Sequence, residues 1–377
     1  MMIAQELGIY VVESKGGAIL CLLLSLLCLG TWPALMALLE RRGRLPQHTY
    51  LDYSITNFLA AIFIAFVFGG IGESTHEAPS FITQLTQIQD NWPSVLFAMA
   101  GTTVNYFLDN GLNRADILFS GVGCFMVAVC LGSAVHSSNS ADIKAKLGKL
   151  SGDCETVNPE ECQRLFGVEE EEEEKEMENV KEGSAAFLIA LENKRAIKVL
   201  GKSMVVGLGI TFFAGLSFSL FSPLFNLATN DQWHTLKQGV PKLIVYTAFF
   251  YFSLSCFVIA VALNISFLYK PVLDSPRSSF REYLSDWNGR GWALAAGLLC
   301  GFGNGLQFMG GQAAGYAASD AVQALPLVST FWGIYLFGEY RRSSTRTYAL
   351  LVGMLVMFTV AVGLLMASAG ERETRFT

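Results

Sequence analysis

The chain has 377 residues, of which 52% are hydrophobic and 15% charged, whereas soluble proteins average about 25% charged residues. This composition excludes a typical soluble domain and predicts an all-α membrane protein that crosses the bilayer several times. The formal net charge of −6 is dominated by one acidic run, so it does not indicate an acidic substrate or nucleic acid as a partner.

The first half contains three clear apolar segments, at residues 16–39, 54–72 and 117–135. Each is long enough for a membrane-crossing helix, because about 20 residues at 1.5 Å each span the hydrocarbon core. Lys15 precedes the first segment and three arginines follow it, at 41, 42 and 44, which places the amino terminus outside and the first loop in the cytosol. Residues 93–108 are short for a crossing, so we expect them to be re-entrant, interfacial or partly inserted.

Residues 136–198 are hydrophilic and contain six adjacent glutamates, from Glu169 to Glu174. Like charges repel one another and cannot bury apolar area, which predicts a cytosolic loop that is disordered or partly helical. A solvated spacer and a surface for a basic partner are the two interpretations of this loop.

The second half contains five predicted spans, at residues 203–230, 243–269, 291–319, 321–338 and 347–370. Its basic loops all fall on one side of the membrane in this topology, which agrees with the positive-inside rule. The predicted organisation is therefore a first transmembrane repeat (1–135), an acidic loop (136–198), a second repeat (199–370) and a short tail (371–377).

A few residues recur in the two halves of the chain with the same spacing and in the same order. Gly17 and Pro33 have the same spacing as Gly207 and Pro223, which predicts an inverted repeat of two helical bundles. Trp292 and Glu339 lie 47 positions apart, but the corresponding Trp92 and Asp109 lie only 17 apart. We therefore expect part of a helical hairpin to be missing from the first repeat, leaving eight full spans.

Three stretches resemble plant ureide permeases of the drug/metabolite transporter superfamily: residues 8–57 (GIYVVESKGGAILCLLLSLLCLGTWPALMALLERRGRLPQHTYLDYSITN), 201–234 (GKSMVVGLGITFFAGLSFSLFSPLFNLATNDQWH) and 292–339. With the acidic loop, the resemblance covers nearly the whole chain. It implies a ten-span, proton-coupled importer of oxo nitrogen heterocycles such as allantoin, uracil and xanthine-like compounds. It further implies a plasma-membrane protein, with the endoplasmic reticulum as the alternative address.

The chain departs from that family pattern between Ala100 and Gly101, where the end of the third helix and the start of the fourth are absent. An alternatively spliced or truncated product would explain this. The alternative function is accordingly a transport-impaired isoform, a regulatory membrane protein that associates with the full-length transporter.

The hairpin at residues 292–339 carries most of the polar side chains expected at a substrate site. Polar groups cost free energy in lipid unless they meet one another, water or a substrate, and a planar heterocycle with N–H and C=O groups suits amides and aromatic faces. The candidate substrate-binding residues are Asn304, Gln307, Gln312, Gln323 and Trp332, with Asn57 (and, more weakly, Trp32) in the first half. Alternatively, these amides only join helices.

Asp320 is the candidate for proton coupling, because desolvation can raise the pKa of a carboxyl near a helix start in an apolar hairpin. An exposed helix cap is the alternative interpretation. Protons are the only coupling ion expected, and no cofactor or metal is predicted.

Residues 196–203 weakly match a phosphate-binding loop through Ala196, Gly201, Lys202 and Ser203, so ATP binding is one interpretation. No strand precedes the motif and a predicted span follows it, so a basic anchor at the membrane face explains the lysine equally well. The sequence has no catalytic Ser/His/Asp or metal-ligand constellation, and it indicates a transporter that contacts a small heterocycle and the lipid bilayer, not an enzyme.

Overall fold

The protein is described from a computed structural model, which covers residues 12, 14–70, 79–100, 115–155, 221–229, 240–271, 276–340 and 343–368. These residues are almost entirely helical and form no strand. Six of the helices are long and apolar enough to cross a membrane. The structure thus confirms the predicted all-α, polytopic membrane protein, while the inverted repeat stays a prediction.

The helices follow one another in this order: α1 Lys15–Arg41, α2 Pro46–Val67, α3 Phe81–Thr86, α4 Ile88–Ala100, α5 Ala115–Glu155, α6 Phe221–Thr229, α7 Val245–Tyr269, α8 Phe280–Ser285, α9 Arg290–Ala314, α10 Tyr316–Ser319, a 3-10 segment Asp320–Gln323, α11 Pro326–Phe337 and α12 Thr345–Ala367. The six candidate spans lie in α1, α2, α5, α7, α9 and α12.

Local sequence signals explain several helix ends. The Ser14 side chain accepts a hydrogen bond from the Gly17 amide and so caps α1, as Ser344 caps α12. Ser279 and Glu282 form a reciprocal capping box at α8. Proline occupies the first position of α2 and of α11, where its missing N–H needs no partner.

The segments predicted as spans at residues 291–319 and 321–338 are both interrupted. α9 ends before Gly315, which has a φ of 91° that favours glycine. One short turn and the 3-10 segment follow, and α11 then covers 12 residues, about 18 Å and too short to cross alone. The prediction of one continuous helix over each segment was wrong, because Gly315 ends α9 within the first and Pro326 begins a new helix within the second.

Two other helix boundaries also differ from the predicted ones. The second span was predicted to begin at residue 54, but α2 begins at Pro46. The predicted acidic loop begins at residue 136, whereas α5 continues through Glu155; its Asp142 carboxylate accepts hydrogen bonds from the Ser344 amide and the Thr347 hydroxyl. Outside the described residues lie 101–108 of the short segment, 156–198 of the acidic loop and most of span 203–230.

Helix α9 is the central helix of the bundle. Of its most apolar stretch 61% is buried, against 11% for that of α5. It packs against both α1 and α2, while α7 packs on α2, and α5 packs on α12. Close approach depends on glycine, since a Cβ added at Gly297 would lie 2.2 Å from the Tyr53 carbonyl oxygen of α2. Helices from both halves of the chain therefore surround α9.

Candidate functional site

A cavity of about 340 Å³ lies beside α9 and is lined by residues of α1, α2, α7, α9 and the 3-10 segment. This volume is in the range of sites for small organic molecules. Among the described residues that line it, none carries a formal charge. Because an ion would be costly to bury without a counter-charge, the cavity suits a neutral ligand.

One wall of the cavity is polar and is built by α2 and α9. The Tyr53 hydroxyl donates a hydrogen bond to the Cys300 sulfur at 2.8 Å. The Asn304 amide nitrogen lies 3.3 Å from the same sulfur, and the Asn57 amide nitrogen lies 3.5 Å from the Tyr53 oxygen. Both amides line the cavity, and each directs its nitrogen to a neighbouring group of the wall, on helices that the α9 glycines bring into contact.

Aromatic rings provide the other surfaces. Trp32 of α1 packs against Tyr53 with ring centroids 5.5 Å apart. Phe58 of α2 stacks on Phe257 of α7, with centroids 5.0 Å apart and planes 13° apart. All four residues line the cavity. Such faces suit a flat, unsaturated ligand.

The structure brings together three of the predicted substrate residues. Asn57, Asn304 and Gln323 all line the cavity, although they come from α2, α9 and the 3-10 segment. Gln323 reaches the site because the chain is not α-helical there. Backbone interruptions of this kind occur in transporters where they border a binding site.

The other predicted residues lie elsewhere. Gln307 follows Asn304 by one turn of α9 and is 2% exposed; its amide nitrogen, like the amide oxygen of Gln312, has no hydrogen-bond partner among the described residues. The Trp332 indole donates to the Thr31 hydroxyl at 3.0 Å and so joins α11 to α1. Asp320 is half-buried at the start of the 3-10 segment.

The candidate phosphate-loop residues lie outside the part of the chain that the structure describes. They are Ala196, Gly201, Lys202 and Ser203.

Sequence reasoning missed Tyr53, Cys300 and the whole α7 wall. Tyr53 precedes Asn57 by four residues, and Cys300 precedes Asn304 by four. Side chains at this spacing share a helix face, so the helical period could have identified both. Apolar residues lie on all sides of helix α7, so the sequence pattern does not indicate which side faces the cavity.

A charged cluster lies at one end of the cavity, formed by Arg44, His48, Asp52, Tyr283, Asp286 and Arg290. The Arg44 guanidinium lies 2.5 Å from the Asp52 carboxylate, and these side chains are 0% and 4% exposed. The same carboxylate accepts from Arg290 at 3.2 Å and from the Tyr283 hydroxyl at 2.7 Å. The first loop and the α8–α9 connection therefore meet on the start of α2.

The pKa values of Tyr283 in α8 and of Asp286 just after α8 are shifted in opposite directions. Burial, with the hydrogen bond to Asp52, raises the pKa of Tyr283 to about 12. At Asp286, burial by itself would raise the pKa, but the hydrogen bond from His48 and the nearby Arg44 guanidinium lower it overall. Tyr283 thus stays a hydroxyl donor and Asp286 stays a carboxylate at neutral pH.

An aromatic cluster lies at the other end, formed by Phe225, Phe249, Phe252, Phe308 and Tyr316. The rings of Phe225 and Phe308 stack with centroids 3.7 Å apart. Phe308 lies four residues beyond Asn304 on α9, about 6 Å, whereas Asp52 lies five residues before Asn57 on α2, about 7.5 Å. The cavity therefore lies between a charged cluster at one end and an aromatic cluster at the other, called here the charged end and the aromatic end.

Comparison with known proteins identifies similar chains. The family model described as Ureide permease matches residues 49–102 and 100–368. Ureide permease 5 of Arabidopsis thaliana is 91% identical over 413 aligned positions, covering 100% of both chains. Ureide permease 2 of the same plant is 62% identical, covering 97% of this chain and 100% of its own. Probable ureide permease A3 of Vigna unguiculata is 55% identical, covering 90% and 100%. No solved structure matches the chain.

The matches also bear on the missing hairpin. The family match is divided at residues 100–102, and the 413 aligned positions with ureide permease 5 exceed the 377 residues of this chain. Both findings are what a shortening between Ala100 and Gly101 would produce.

Proposed function

Because the chain belongs to the ureide permease family, we propose that it carries ureides and related oxo nitrogen heterocycles, such as allantoin, uracil and xanthine-like compounds, through the central cavity. The observation that carries this proposal is the uncharged cavity with amides on one wall and aromatic rings on the others. Such substrates are planar and neutral, and they present N–H donors beside C=O acceptors, which is the pattern that an amide side chain complements.

The binding contacts follow from the positions of the three amides. Asn57 and Asn304 hold one edge of the heterocycle, and Gln323 meets another edge from the 3-10 segment. Trp32 and Phe257 enclose its faces. Because each neutral hydrogen bond contributes about 1 kcal/mol, recognition depends on several of them acting together.

Gln307 and Gln312 extend the proposed path. A buried amide atom without a partner is rare in folded proteins, and Gln307 shares a face of α9 with Asn304. A substrate or water that moves along α9 toward the aromatic cluster would supply the missing partner. Trp332 in this proposal positions α1 through Thr31, and does not touch the substrate.

We propose that the protein imports its substrate and that protons drive this import. Asp320 begins the 3-10 segment that also carries Gln323, so a proton taken up there would alter the segment beside the substrate. We propose the plasma membrane as the site of transport, with the endoplasmic reticulum as the alternative.

Uptake of labelled allantoin and uracil into a transport-deficient cell, measured against external pH and with a proton uncoupler, tests the proposal. Asn304→Ala should raise KM about fivefold, the loss of one hydrogen bond of about 1 kcal/mol. Asn264→Ala is the matched control, since among the described residues this amide bonds the Ala260 carbonyl of its own helix and does not line the cavity. Equal KM values for the two variants would contradict the proposed site.

The shortening at residue 100 favours a second function, in which the chain regulates a full-length relative. In that case the chain alone gives no uptake, and its co-expression with the full-length carrier lowers the uptake by that carrier. Uptake by the chain alone, unaffected by co-expression, would reject this alternative.

A further inference from the structure

The connection from α7 to α9 has an exposed apolar surface on its outer side. Phe280 and Leu284 lie four residues apart on α8, and Trp287 follows the helix; these residues are 45%, 55% and 75% exposed. Side chains four residues apart share one face of a helix. The inner side carries Tyr283, which is 7% exposed and donates to Asp52. The three exposed residues are called here the α8 surface.

The α8 surface lies at the level where the membrane-crossing helices end. Helix α7 ends at Tyr269 and α9 begins at Arg290, so the residues between them lie at one face of the membrane. The Tyr269 hydroxyl accepts a hydrogen bond from the Phe280 amide at 3.4 Å, which joins α8 to the end of α7. Tyr283 joins it to α2. The surface is therefore at the depth of the lipid headgroups, where tryptophan rings are enriched.

Positive charge borders this surface. Lys270, Arg277 and Arg281 are exposed, and none of them forms an ion pair within the described part of the chain. The carboxylate of Glu282, next to Arg281, accepts a hydrogen bond from the Ser279 amide at 3.1 Å, so it is turned toward the first residues of α8. Three cations thus lie around an apolar surface at the membrane face.

We propose that the α8 surface binds anionic lipid in the leaflet on that side of the membrane. Phe280, Leu284 and Trp287 lie among the upper parts of the acyl chains, and the neighbouring cations contact the phosphate groups. An apolar face flanked by basic residues is the combination that binds an anionic membrane surface. This interaction is separate from substrate binding, because none of these residues lines the cavity.

The inner side of the connection orders this surface before lipid binds. The Arg290 guanidinium lies over the Trp287 ring, 4.8 Å from its centroid, and also donates to Asp52 at 3.2 Å. The Asp286 carboxylate lies 2.7 Å from His48 Nδ1. These contacts hold the connection on the start of α2. Because the backbone is already fixed, little conformational entropy is lost when the surface meets lipid.

Quenching of tryptophan fluorescence by brominated lipid tests the proposal. The full chain is reconstituted in phosphatidylcholine vesicles that contain increasing fractions of brominated phosphatidylcholine or of brominated phosphatidylglycerol. The contribution of Trp287 is the difference between the unsubstituted chain and Trp287→Phe. Its dependence on each brominated lipid gives the relative affinity of the α8 surface for the two headgroups. Phosphatidylglycerol should be preferred roughly tenfold at low salt, the attraction of one or two basic residues to an anionic surface.

Two kinds of variant separate charge from apolar contact. Arg277→Gln combined with Arg281→Gln should remove most of the preference for phosphatidylglycerol, as should high salt, which screens exposed charges. Leu284→Ser should weaken quenching by both lipids to a similar extent. Arg346→Gln is the matched control, because it removes an exposed arginine at the start of α12, outside the α8 surface, and it should leave the preference unchanged.

Equal affinities of the unsubstituted chain for the two lipids would overturn the proposal. Absence of Trp287 quenching by either lipid would also overturn it, and is the result expected if a second copy of the chain covers the surface. A preference that Arg346→Gln lowers as much as the double substitution would show that it follows the net charge of the protein, and would likewise reject a lipid site at α8.

Discussion

Different kinds of interaction lie at the two ends of the cavity. At the charged end, two guanidinium groups and a tyrosine hydroxyl converge on Asp52, with contacts of 2.5 to 3.2 Å. At the aromatic end, Phe225 and Phe308 stack among other rings. The charged contacts depend on direction and protonation, whereas ring packing depends mainly on buried area.

This difference assigns different roles to the two ends. A set of directional bonds has few intermediate arrangements, so it holds one geometry until a proton or partner is lost. Rings can slide over one another with a smaller change in energy. The charged end therefore depends on the ionisation of its carboxylates, whereas the aromatic end does not.

The largest expected effect comes from Asp52→Asn. It removes the only carboxylate that Arg44 and Arg290 share in the described cluster, and a buried ion pair that loses one partner costs about 3 to 5 kcal/mol. Thermal unfolding in detergent measures this loss. Glu339→Gln is the control, because its pair with Arg41 is 3.8 Å long and partly exposed and should cost less than about 1 kcal/mol. Similar losses for both variants would show that the charged end does not depend on the buried network.

A somewhat smaller effect is expected from Phe308→Ala at the aromatic end. The ring is 1% exposed, and deleting it leaves a cavity among its neighbours at a cost of about 3 kcal/mol. Phe331→Ala, at a ring that is 58% exposed, is the control. Because no charge is involved, the loss at Phe308 should be the same at pH 5.5 and pH 8, and a strong pH dependence would remove the distinction between the two ends.

Much of this architecture could be predicted from local patterns. Apolar length identified the spans, and the polar side chains of residues 292–339 identified Asn304 and Gln323, because a polar group within an apolar helix needs an interior partner. The interruption after Gly315 was also present in the sequence as a glycine followed by Pro326. It was missed because the absence of charge from 291 to 319 and from 321 to 338 was taken to indicate two continuous helices.

The charged cluster could not be predicted in the same way. Its members lie on the first loop, α2, α8 and α9, and Arg44 and Arg290 are separated by more than half of the chain. Each was interpreted as a basic residue of a cytosolic loop, which explains its position but not its partner. Only the close packing of α2 on α9, through Gly297, brings Arg290 to Asp52.

The smallest expected effect is the change in the stability of the charged end at acidic pH. The pKa of Asp286 is held below its ordinary value of 3.8, so the carboxylate is favoured by folding. Its contribution to the free energy of unfolding is present above pH 4 and is lost as the pH falls through the lowered pKa. Replacing Asp286 with asparagine should therefore destabilise the protein at pH 5 and have a smaller effect at pH 3.

Thermal unfolding of the unsubstituted chain and of Asp286→Asn at pH 5, 4 and 3 measures this convergence. Asp90→Asn, an exposed carboxyl on α4, controls for the general effect of acid on the fold. A difference that widens toward pH 3 would mean that Asp286 is not favoured as a carboxylate by its neighbours. The charged end would then lack one of the carboxylates on which the contrast between the two ends depends.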